Sequence, residues 1–229
     1  GLYAGVFQAD GTQLLGAECG VVIAFPAGRQ SSRPSRSECR RSLGLPPEPP
    51  IVAVIGCIGI QKGYLELYGA IEPLPRDFRV LLIGDTPSWI TPKPLEVAQK
   101  AGWSDDTIFR LSFVPESDMP LIFGSVDVVA MLYRAPNGSS GILSWCREYR
   151  VPVLATCLGE LGKTVSEYGL GRTADPAHPN EVREALIDLF HSARWQDYRR
   201  VSCSRLKKTS ADWDVSAKAH IVVYRNLFT

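Results

Sequence analysis

The 229-residue chain lacks the features that mark several common classes of protein. Its three histidines all lie outside the Gly-rich segments, which argues against a Ser-His-Asp catalytic triad. The six cysteines include no C-x-x-C pair, so we interpret them as reduced thiols of a cytoplasmic protein. No apolar run reaches the roughly 18 residues that a membrane-spanning helix needs. The formal net charge of +1 gives no electrostatic reason to expect a nucleic-acid partner.

Several nucleotide and metal motifs are also absent. No G-x-G-x-x-G motif follows a predicted strand, and no complete G-x-x-x-x-G-K-[ST] motif occurs. Dehydrogenase and P-loop ATPase functions are therefore disfavoured. No H-E-x-x-H or H-x-E pattern appears, so we expect chemistry without a metal ion.

Residues 126–171 carry the most informative pattern of the chain. An apolar segment at 126–132 leads into a polar turn at 137–141, and a second apolar segment at 151–156 leads into a turn with two glycines. In neighbouring parallel strands, such turns open helices side by side and present unpaired backbone N–H groups that suit a phosphate. The alternative is that these glycines only cap ordinary strand–helix turns.

Short runs rich in Val, Ile and Leu alternate with helical patterns through the middle of the chain. The runs lie at residues 51–56, 79–84, 107–113, 126–132 and 151–156. The helical patterns lie near residues 63–73, 93–101, 117–124, 140–149, 160–167 and 179–193. This alternation predicts right-handed βαβ units with buried parallel strands. We therefore predict an α/β fold with a Rossmann-like, doubly wound parallel sheet.

The same pattern suggests the domain organisation. Residues 45–192 form the predicted Rossmann-like domain, and residues 193–229 form a C-terminal helical tail. Residues 29–38 are rich in Ser, Arg and Pro, which is typical of a solvated linker. The alternative is that the basic side chains in and near it contact a phosphate or an anionic membrane surface. These side chains are Arg29, Arg33, Arg36, Arg40 and Arg41.

Several motifs, in their order and spacing, resemble the C-terminal, donor-binding domain of GT-B glycosyltransferases of the family 4, or group 1, type. Residues 56–63 (GCIGIQKG) resemble the family's G-x-x-x-x-x-K-G loop, and residues 40–45 (RRSLGL) resemble its R-x-x-L-G-L lead-in. The D-x-x-x-x-x-Y-R, S-S-G-I-L, V-P-V-L-A-T and G-x-x-G-x-x-V sequences of residues 127–165 follow in the family's order. Trp213 and Tyr224 resemble the pattern of its last helix.

The resemblance implies one half of a GT-B fold and a retaining, metal-independent transferase. The donor would be a UDP- or GDP-sugar carrying a hexose-type sugar, with no other cofactor, and the acceptor would be a glycan, a lipid or a small molecule. Family members carry an acceptor-binding domain before this region. We therefore interpret residues 1–44 as a remnant of an N-terminal domain plus a linker, and the chain as an incomplete part of a cytoplasmic enzyme, with peripheral membrane contact as an option.

The resemblance and the turn chemistry together nominate the site residues. Lys62 and Arg134 are the catalytic candidates, because a cation beside a departing diphosphate stabilises the charge that grows in the transition state. The predicted phosphate ligands are Gly59, Ser139, Ser140 and Gly141. The predicted nucleotide contacts are Gly84, Val114, Pro115 and Trp145. The alternative for Lys62 is a surface lysine in the first turn of a helix, a placement that the helix dipole slightly disfavours.

Two departures from the family pattern keep a second hypothesis open. Cys57 and Gly59 occupy the positions where many relatives carry a loop arginine. Asn137 and Trp145 stand at the positions of the family's E-x7-E pair, and an indole cannot accept hydrogen bonds from ribose hydroxyls. The alternative function is therefore a non-catalytic nucleotide-sugar-binding or interaction module of the same fold. A sugar-nucleotide epimerase is a third hypothesis. Asp127, near the start of the fourth predicted strand, is interpreted as structural.

Overall fold

The computed structural model describes residues 34–136 and 140–191. They form an α/β domain around one six-stranded sheet in the order β3-β2-β1-β4-β5-β6. Every neighbouring pair is parallel, which confirms the predicted Rossmann-like, doubly wound sheet. The strands are β1 (Ile51–Ile55), β2 (Arg79–Ile83), β3 (Thr107–Arg110), β4 (Val128–Met131), β5 (Val153–Thr156) and β6 (Gly171–Ala174). The helices are α1 (Arg36–Ser42), α2 (Tyr64–Ile71), α3 (Pro94–Lys100), α4 (Met119–Ser125), α5 (Gly141–Tyr149), α6 (Gly159–Tyr168) and α7 (Pro179–Phe190).

Helices cover both faces of the sheet, so the central strands are buried on both sides. Along β1, Val52 and Val54 belong to one hydrophobic cluster, whereas Ile51, Ala53 and Ile55 belong to the other. Side chains of α2, α3 and α7 complete the first cluster, and side chains of α4, α5 and α6 complete the second. This double burial explains why these strands are continuous apolar runs in the sequence.

Strand β6 was not predicted from the sequence. Its residues, Gly171-Arg172-Thr173-Ala174, contain no apolar run, and only Ala174 among them is fully buried. The strand lies at the end of the sheet, where it pairs with β5 from Val153–Gly171 to Thr156–Ala174. Backbone pairing defines it, so a search for hydrophobic runs misses it.

Helix α1 corrects the interpretation of the basic segment as a solvated linker. Ser35 begins the helix with a capping box, in which the Glu38 N–H donates to Ser35 Oγ (3.3 Å) and the Ser35 N–H donates to Glu38 Oε2 (2.8 Å). Arg40, one residue of the basic cluster, is only 1% exposed. Residues 36–42 are therefore a packed helix, and Arg40 is part of the domain interior.

Asp127 is the acceptor at the centre of this buried anchor, which confirms its structural interpretation. Its Oδ2 accepts hydrogen bonds from Arg40 Nη2 (2.7 Å), Arg36 Nη2 (3.1 Å) and the Ile51 backbone N–H (2.7 Å). Burial lowers the pKa of the Arg40 guanidinium, and the Asp127 carboxylate acts in the opposite direction. The anchor ties α1 to the amino ends of β1 and β4.

Two further observations concern membranes and cysteines. None of the helices within residues 34–136 and 140–191 is both long and apolar enough to cross a bilayer. Cys39 and Cys146 are buried free thiols, whereas Cys57 and Cys157 are exposed free thiols at the carboxyl ends of β1 and β5. The predicted helical tail, with Trp213 and Tyr224, lies outside the described residues.

Candidate functional site

The site predicted from the sequence lies where the winding of the sheet reverses. Strand β1 is flanked by β2 on one side and β4 on the other. The helix that follows β1 packs on one face, and the helix that follows β4 packs on the opposite face. In doubly wound sheets, this divergence opens a crevice at the carboxyl ends of the two strands. Here the loop of residues 56–63 lines one side, and residues 132–136 with Ser140 and Gly141 line the other.

Gly84 lets the turns after β1 and β2 touch each other. Its φ is +135°, and a Cβ there would lie 1.8 Å from the Gly56 carbonyl oxygen. The Ile58 N–H donates to the Asp85 carbonyl at 2.7 Å, which joins the same two turns. Gly84 thus has a clear structural reason to be glycine, and its role as a nucleotide contact stays a prediction.

Gly63 allows the loop that carries Lys62 to pack closely against the end of β4. Residues Ile60–Lys62 form a 3₁₀ turn, and Gly63 ends it with φ 76°. A Cβ on Gly63 would lie 2.0 Å from the Leu132 carbonyl oxygen, so no other residue allows this approach. The K-G pair of the loop therefore has a geometric function: the glycine places the lysine beside the residue that follows Leu132.

That neighbour is Tyr133, and it links the two walls of the crevice. Lys62 Nζ donates to Tyr133 Oη at 3.1 Å and lies 4.4 Å from the centroid of the tyrosine ring. Tyr133 Oη is in turn 3.3 Å from Ser140 Oγ. Lys62 is half-buried. Lys62, Tyr133 and Ser140 thus form a continuous polar chain across the point where the winding reverses.

Ser140 and Gly141 open helix α5, as the turn chemistry predicted. Ser140 occupies the N-cap position with extended backbone, but its side chain does not cap the helix. Its hydroxyl contacts Tyr133 instead. Gly141 is exposed, and a Cβ there would meet no atom within 4 Å. The first turn of α5 is therefore accessible and has N–H groups that suit an anion. Ser139 lies outside the described residues.

The guanidinium of Arg134 is already engaged in the structure. It forms an ion pair with Glu66 of α2, whose side chain is 11% exposed. Its backbone N–H also donates to the Gln61 carbonyl at 3.4 Å. The sequence suggested Arg134 as a second cation for the diphosphate, and this role stays a prediction. To contact a diphosphate, the guanidinium would have to bind it alongside the Glu66 carboxylate or break the ion pair with Glu66.

The remaining predicted contacts fall into two groups. Gly59 lies in the loop after β1, just before the 3₁₀ turn, where it is buried and its N–H donates to the Cys57 carbonyl at 2.9 Å. Val114 and Pro115 lie on the connection after β3, at the same edge of the sheet. Val114 packs against the core and Pro115 is exposed. Their binding roles stay predictions.

Trp145 has a packing environment that the nucleotide prediction did not anticipate. Its ring stacks on Phe123 of α4, with centroids 5.9 Å apart and planes inclined by 11°, and it contacts Tyr149 at 6.0 Å. A large aromatic ring gains more from this helix–helix interface than from a polar rim. The indole therefore has a structural role between α4 and α5, at a position where relatives carry a glutamate.

Two exposed aromatic side chains stand at the carboxyl edge on the β2–β3 side. Trp89 follows β2 and Phe113 follows β3, and each is 78% exposed. A purine, pyrimidine or sugar ring can stack on such surfaces. The sequence analysis missed both residues, as it missed Tyr133 and Glu66. A search for polar and aromatic residues just after each predicted strand would have found Trp89 and Tyr133, whereas Phe113 was assigned to the predicted strand 107–113, which in the structure ends at Arg110.

A cavity lies at the other edge of the sheet. Its volume is about 240 Å³, and its lining includes Arg36, Asp127, Phe123 and Tyr149. It adjoins the Arg40–Asp127 anchor and contains none of the predicted site residues.

Comparisons with known proteins agree with this architecture. No family model matches the chain. It is 28% identical over 195 residues to a glycogen synthase of Deinococcus radiodurans, an alignment that covers 82% of this chain and 40% of that protein. The chain thus spans about two fifths of the length of this curated relative.

Solved structures of glycosyltransferases share the fold. Sucrose-phosphate synthase from Thermosynechococcus elongatus superposes with a TM-score of 0.68 at 19% identity, over 83% of this chain and 48% of that one. HepE from Anabaena, in complex with UDP and glucose, gives 0.69 at 18% identity, over 84% and 51%. The C-terminal domain of LpcC from Francisella tularensis, a group 1 glycosyltransferase, gives 0.60 at 18% identity, over 78% and 90%. The expected fold, the Rossmann-like half of a GT-B fold, is confirmed.

Proposed function

We propose that this chain is the donor-binding part of a glycosyltransferase that uses a UDP- or GDP-sugar. The observation that carries the proposal is the position of Lys62. Its ammonium lies at the point where the winding of the sheet reverses, close to the accessible first turn of α5. This arrangement supplies a cation and backbone N–H groups from two different elements, which is what a diphosphate needs.

The chemistry follows from the charge that develops when a glycosidic bond to a diphosphate breaks. Negative charge grows on the departing oxygen, and a fixed cation and fixed N–H dipoles stabilise it more in the transition state than in the ground state. Lys62 would hold the diphosphate, with Gly59, Ser139, Ser140 and Gly141 around it. Val114, Pro115, Gly84 and the exposed rings of Trp89 and Phe113 would lie toward the nucleoside.

The finer features of the proposal come from the family resemblance. We propose a hexose donor, retention of configuration and a reaction that needs no metal ion or further cofactor. The acceptor would bind to a second domain that faces the carboxyl edge of the sheet, and the enzyme would act in the cytoplasm. The solved relative HepE binds UDP and UDP-glucose, which supports a nucleotide-sugar donor here.

Lys62→Ala tests the proposal directly. A hydrogen bond to a charged group contributes roughly 1.5–3 kcal/mol, so the affinity for UDP or GDP should fall by about 10- to 150-fold. Calorimetric titration of the wild-type chain and the variant with each nucleotide measures this change.

Lys163→Ala is the matched control. Lys163 is 67% exposed and pairs with Glu160 on α6, in a position where a surface role is expected. Its removal should leave nucleotide affinity unchanged. Equal affinities of wild type and Lys62→Ala would exclude Lys62 from the site.

A second function has specific support. The ion pair with Glu66 engages Arg134, one of the two catalytic candidates, and the packed indole of Trp145 takes the place of a ribose-binding carboxylate. A module of this fold that binds a nucleotide-sugar or a protein without transfer would show these features. Nucleotide binding by the full-length protein with no sugar transfer or donor hydrolysis would favour this module. The absence of any nucleotide binding would favour a protein-interaction role.

A further inference from the structure

We infer that Tyr133 is a positioning residue for Lys62. Its hydroxyl accepts a hydrogen bond from the Lys62 ammonium and so holds it between the 56–63 loop and the start of α5. The same hydroxyl also contacts the Ser140 hydroxyl. This inference rests on the proposed function, because it assigns a role within the proposed diphosphate site. Tyr133 belongs to the D-x-x-x-x-x-Y-R sequence of residues 127–134, but the sequence analysis assigned it no role.

The contact is built by the backbone on both sides. Gly63 allows the loop to approach the Leu132 carbonyl, and the Arg134 N–H bonds to the Gln61 carbonyl. These two contacts flank Tyr133 and fix its Cα against the loop that carries Lys62. The main chain therefore places Lys62 and Tyr133 next to each other, within reach of the contact that their side chains make.

The donor inventory fixes the direction of the first step of the hydrogen-bond chain. An ammonium group can only donate, so Tyr133 Oη must accept from Lys62 Nζ. The phenolic proton is then available for Ser140 Oγ, 3.3 Å away. In this arrangement the hydroxyl proton of Ser140 is left for another acceptor at the start of α5. Each step polarises the next, which strengthens the donors directed at an anion.

Lys62 also keeps the capacity to bind a ligand while it contacts Tyr133. An ammonium has three N–H donors, and one of them is used by the tyrosine. Without the hydroxyl, the flexible lysine side chain would have to be ordered by the ligand itself, at a cost in conformational entropy. Tyr133 would thus pre-organise the cation.

Tyr133→Phe removes the hydroxyl and keeps the ring under the ammonium. We expect the affinity for UDP to fall by about 3- to 10-fold, the change that the loss of one net hydrogen bond produces. Tyr168→Phe is the matched control, because Tyr168 ends α6 and its hydroxyl is remote from the carboxyl edge. Isothermal titration calorimetry compares the three proteins.

A second readout does not depend on the nucleotide. Reductive methylation with ¹³C-formaldehyde gives each lysine an NMR signal, and Lys62→Arg identifies the signal of Lys62. Dimethylated lysine keeps its charge and one N–H donor. We expect the Lys62 signal to move in Tyr133→Phe and to stay in place in Tyr168→Phe. A role of Tyr133 in packing alone would not change this signal.

The two readouts separate this inference from the proposed function. A shifted Lys62 signal with weaker UDP binding supports both. A shifted signal in a chain that binds neither UDP nor GDP supports the positioning contact and contradicts the proposed function. An unmoved Lys62 signal, or a wild-type UDP affinity in Tyr133→Phe, overturns the role of Tyr133.

Discussion

The two edges of the sheet each hold a basic side chain where a helix, a loop and a strand meet, but the two cations differ in how completely they are bonded. At the amino edge, Arg40 is 1% exposed, and all three guanidinium nitrogens donate hydrogen bonds. Its acceptors are the carbonyls of Ser125, Pro46, Pro47 and Pro49 and the carboxylate of Asp127. At the carboxyl edge, Lys62 is half-buried and donates to Tyr133.

The difference separates a structural cation from one that is available to a ligand. A buried charge is tolerated only when its partners satisfy it, and Arg40 meets this condition with protein groups alone. Lys62 is held in place by one protein acceptor and keeps further donors for an external group. Both residues belong to family motifs, R-x-x-L-G-L and K-G, so the motif alone does not distinguish the two roles.

Asp127→Ala should break the amino-edge anchor and have the largest effect. The substitution leaves Arg40 buried without its carboxylate and the Ile51 N–H without an acceptor, which should cost about 3–5 kcal/mol of unfolding free energy. Urea denaturation followed by circular dichroism measures this loss. The affinity of the folded fraction for UDP should not change, because Asp127 lies at the opposite edge.

Glu160→Ala is the control for Asp127→Ala. It removes the carboxylate of an exposed ion pair with Lys163 and should change the unfolding free energy by less than about 1 kcal/mol. A similar small loss in Asp127→Ala would mean that the buried anchor is not a structural element, and the contrast between the two edges would fail.

Gly63→Ala should damage both the fold and the site at the carboxyl edge. A left-handed φ of 76° in a non-glycine residue costs about 1–3 kcal/mol, and the new Cβ would overlap the Leu132 carbonyl. The loop must move away from β4, so Lys62 leaves Tyr133 and UDP affinity should fall by about 10-fold or more. Denaturation and calorimetry measure the two effects.

Gly69→Ala, in the helix that follows Gly63, should have the opposite effect on stability. Gly69 lies in α2, is exposed, and would place its Cβ in open space. An alanine in a helix interior should stabilise the protein by about 0.5–1 kcal/mol relative to glycine and leave UDP affinity unchanged. A stable Gly63→Ala variant with wild-type affinity would show that the close approach of the loop to β4 is dispensable.

The sequence predicted the fold well wherever hydrophobic burial determines the structure. Continuous apolar runs located β1, β2, β4 and β5, because these strands are covered on both faces. The same criterion missed β6, which is defined by backbone pairing. It also assigned α1 to a linker, although Ser35 and Glu38 have the spacing of a capping box. The polar composition of that segment outweighed this local signal.

The candidate site was predictable in its location but not in its contacts. Glycines and the order of motifs placed Lys62 and Ser140 at the same edge, and the structure brings both to Tyr133. Side-chain pairing between distant elements cannot be read from spacing along one chain. For this reason the Arg134–Glu66 pair and the stacking of Trp145 on Phe123 were not anticipated.

Arg134→Gln should have the smallest effect and decides whether a second cation acts at the carboxyl edge. In the structure, the guanidinium is 47% exposed but its partner Glu66 is only 11% exposed, so replacement by a neutral amide that can still donate to Glu66 should cost about 1–2 kcal/mol of unfolding free energy. UDP affinity should change by less than about 3-fold, because Lys62 remains in place.

Glu66→Gln gives the complementary measurement for Arg134, since it frees the guanidinium without removing it. If the ion pair with Glu66 keeps Arg134 from contacting the nucleotide, Glu66→Gln should bind UDP more tightly than wild type does. Adding Arg134→Gln to this variant should then reverse the gain. A loss of 10-fold or more in Arg134→Gln alone would mean that the nucleotide draws Arg134 away from Glu66. The carboxyl edge would then contain two ligand-directed cations, and its contrast with the fully bonded Arg40 would become sharper.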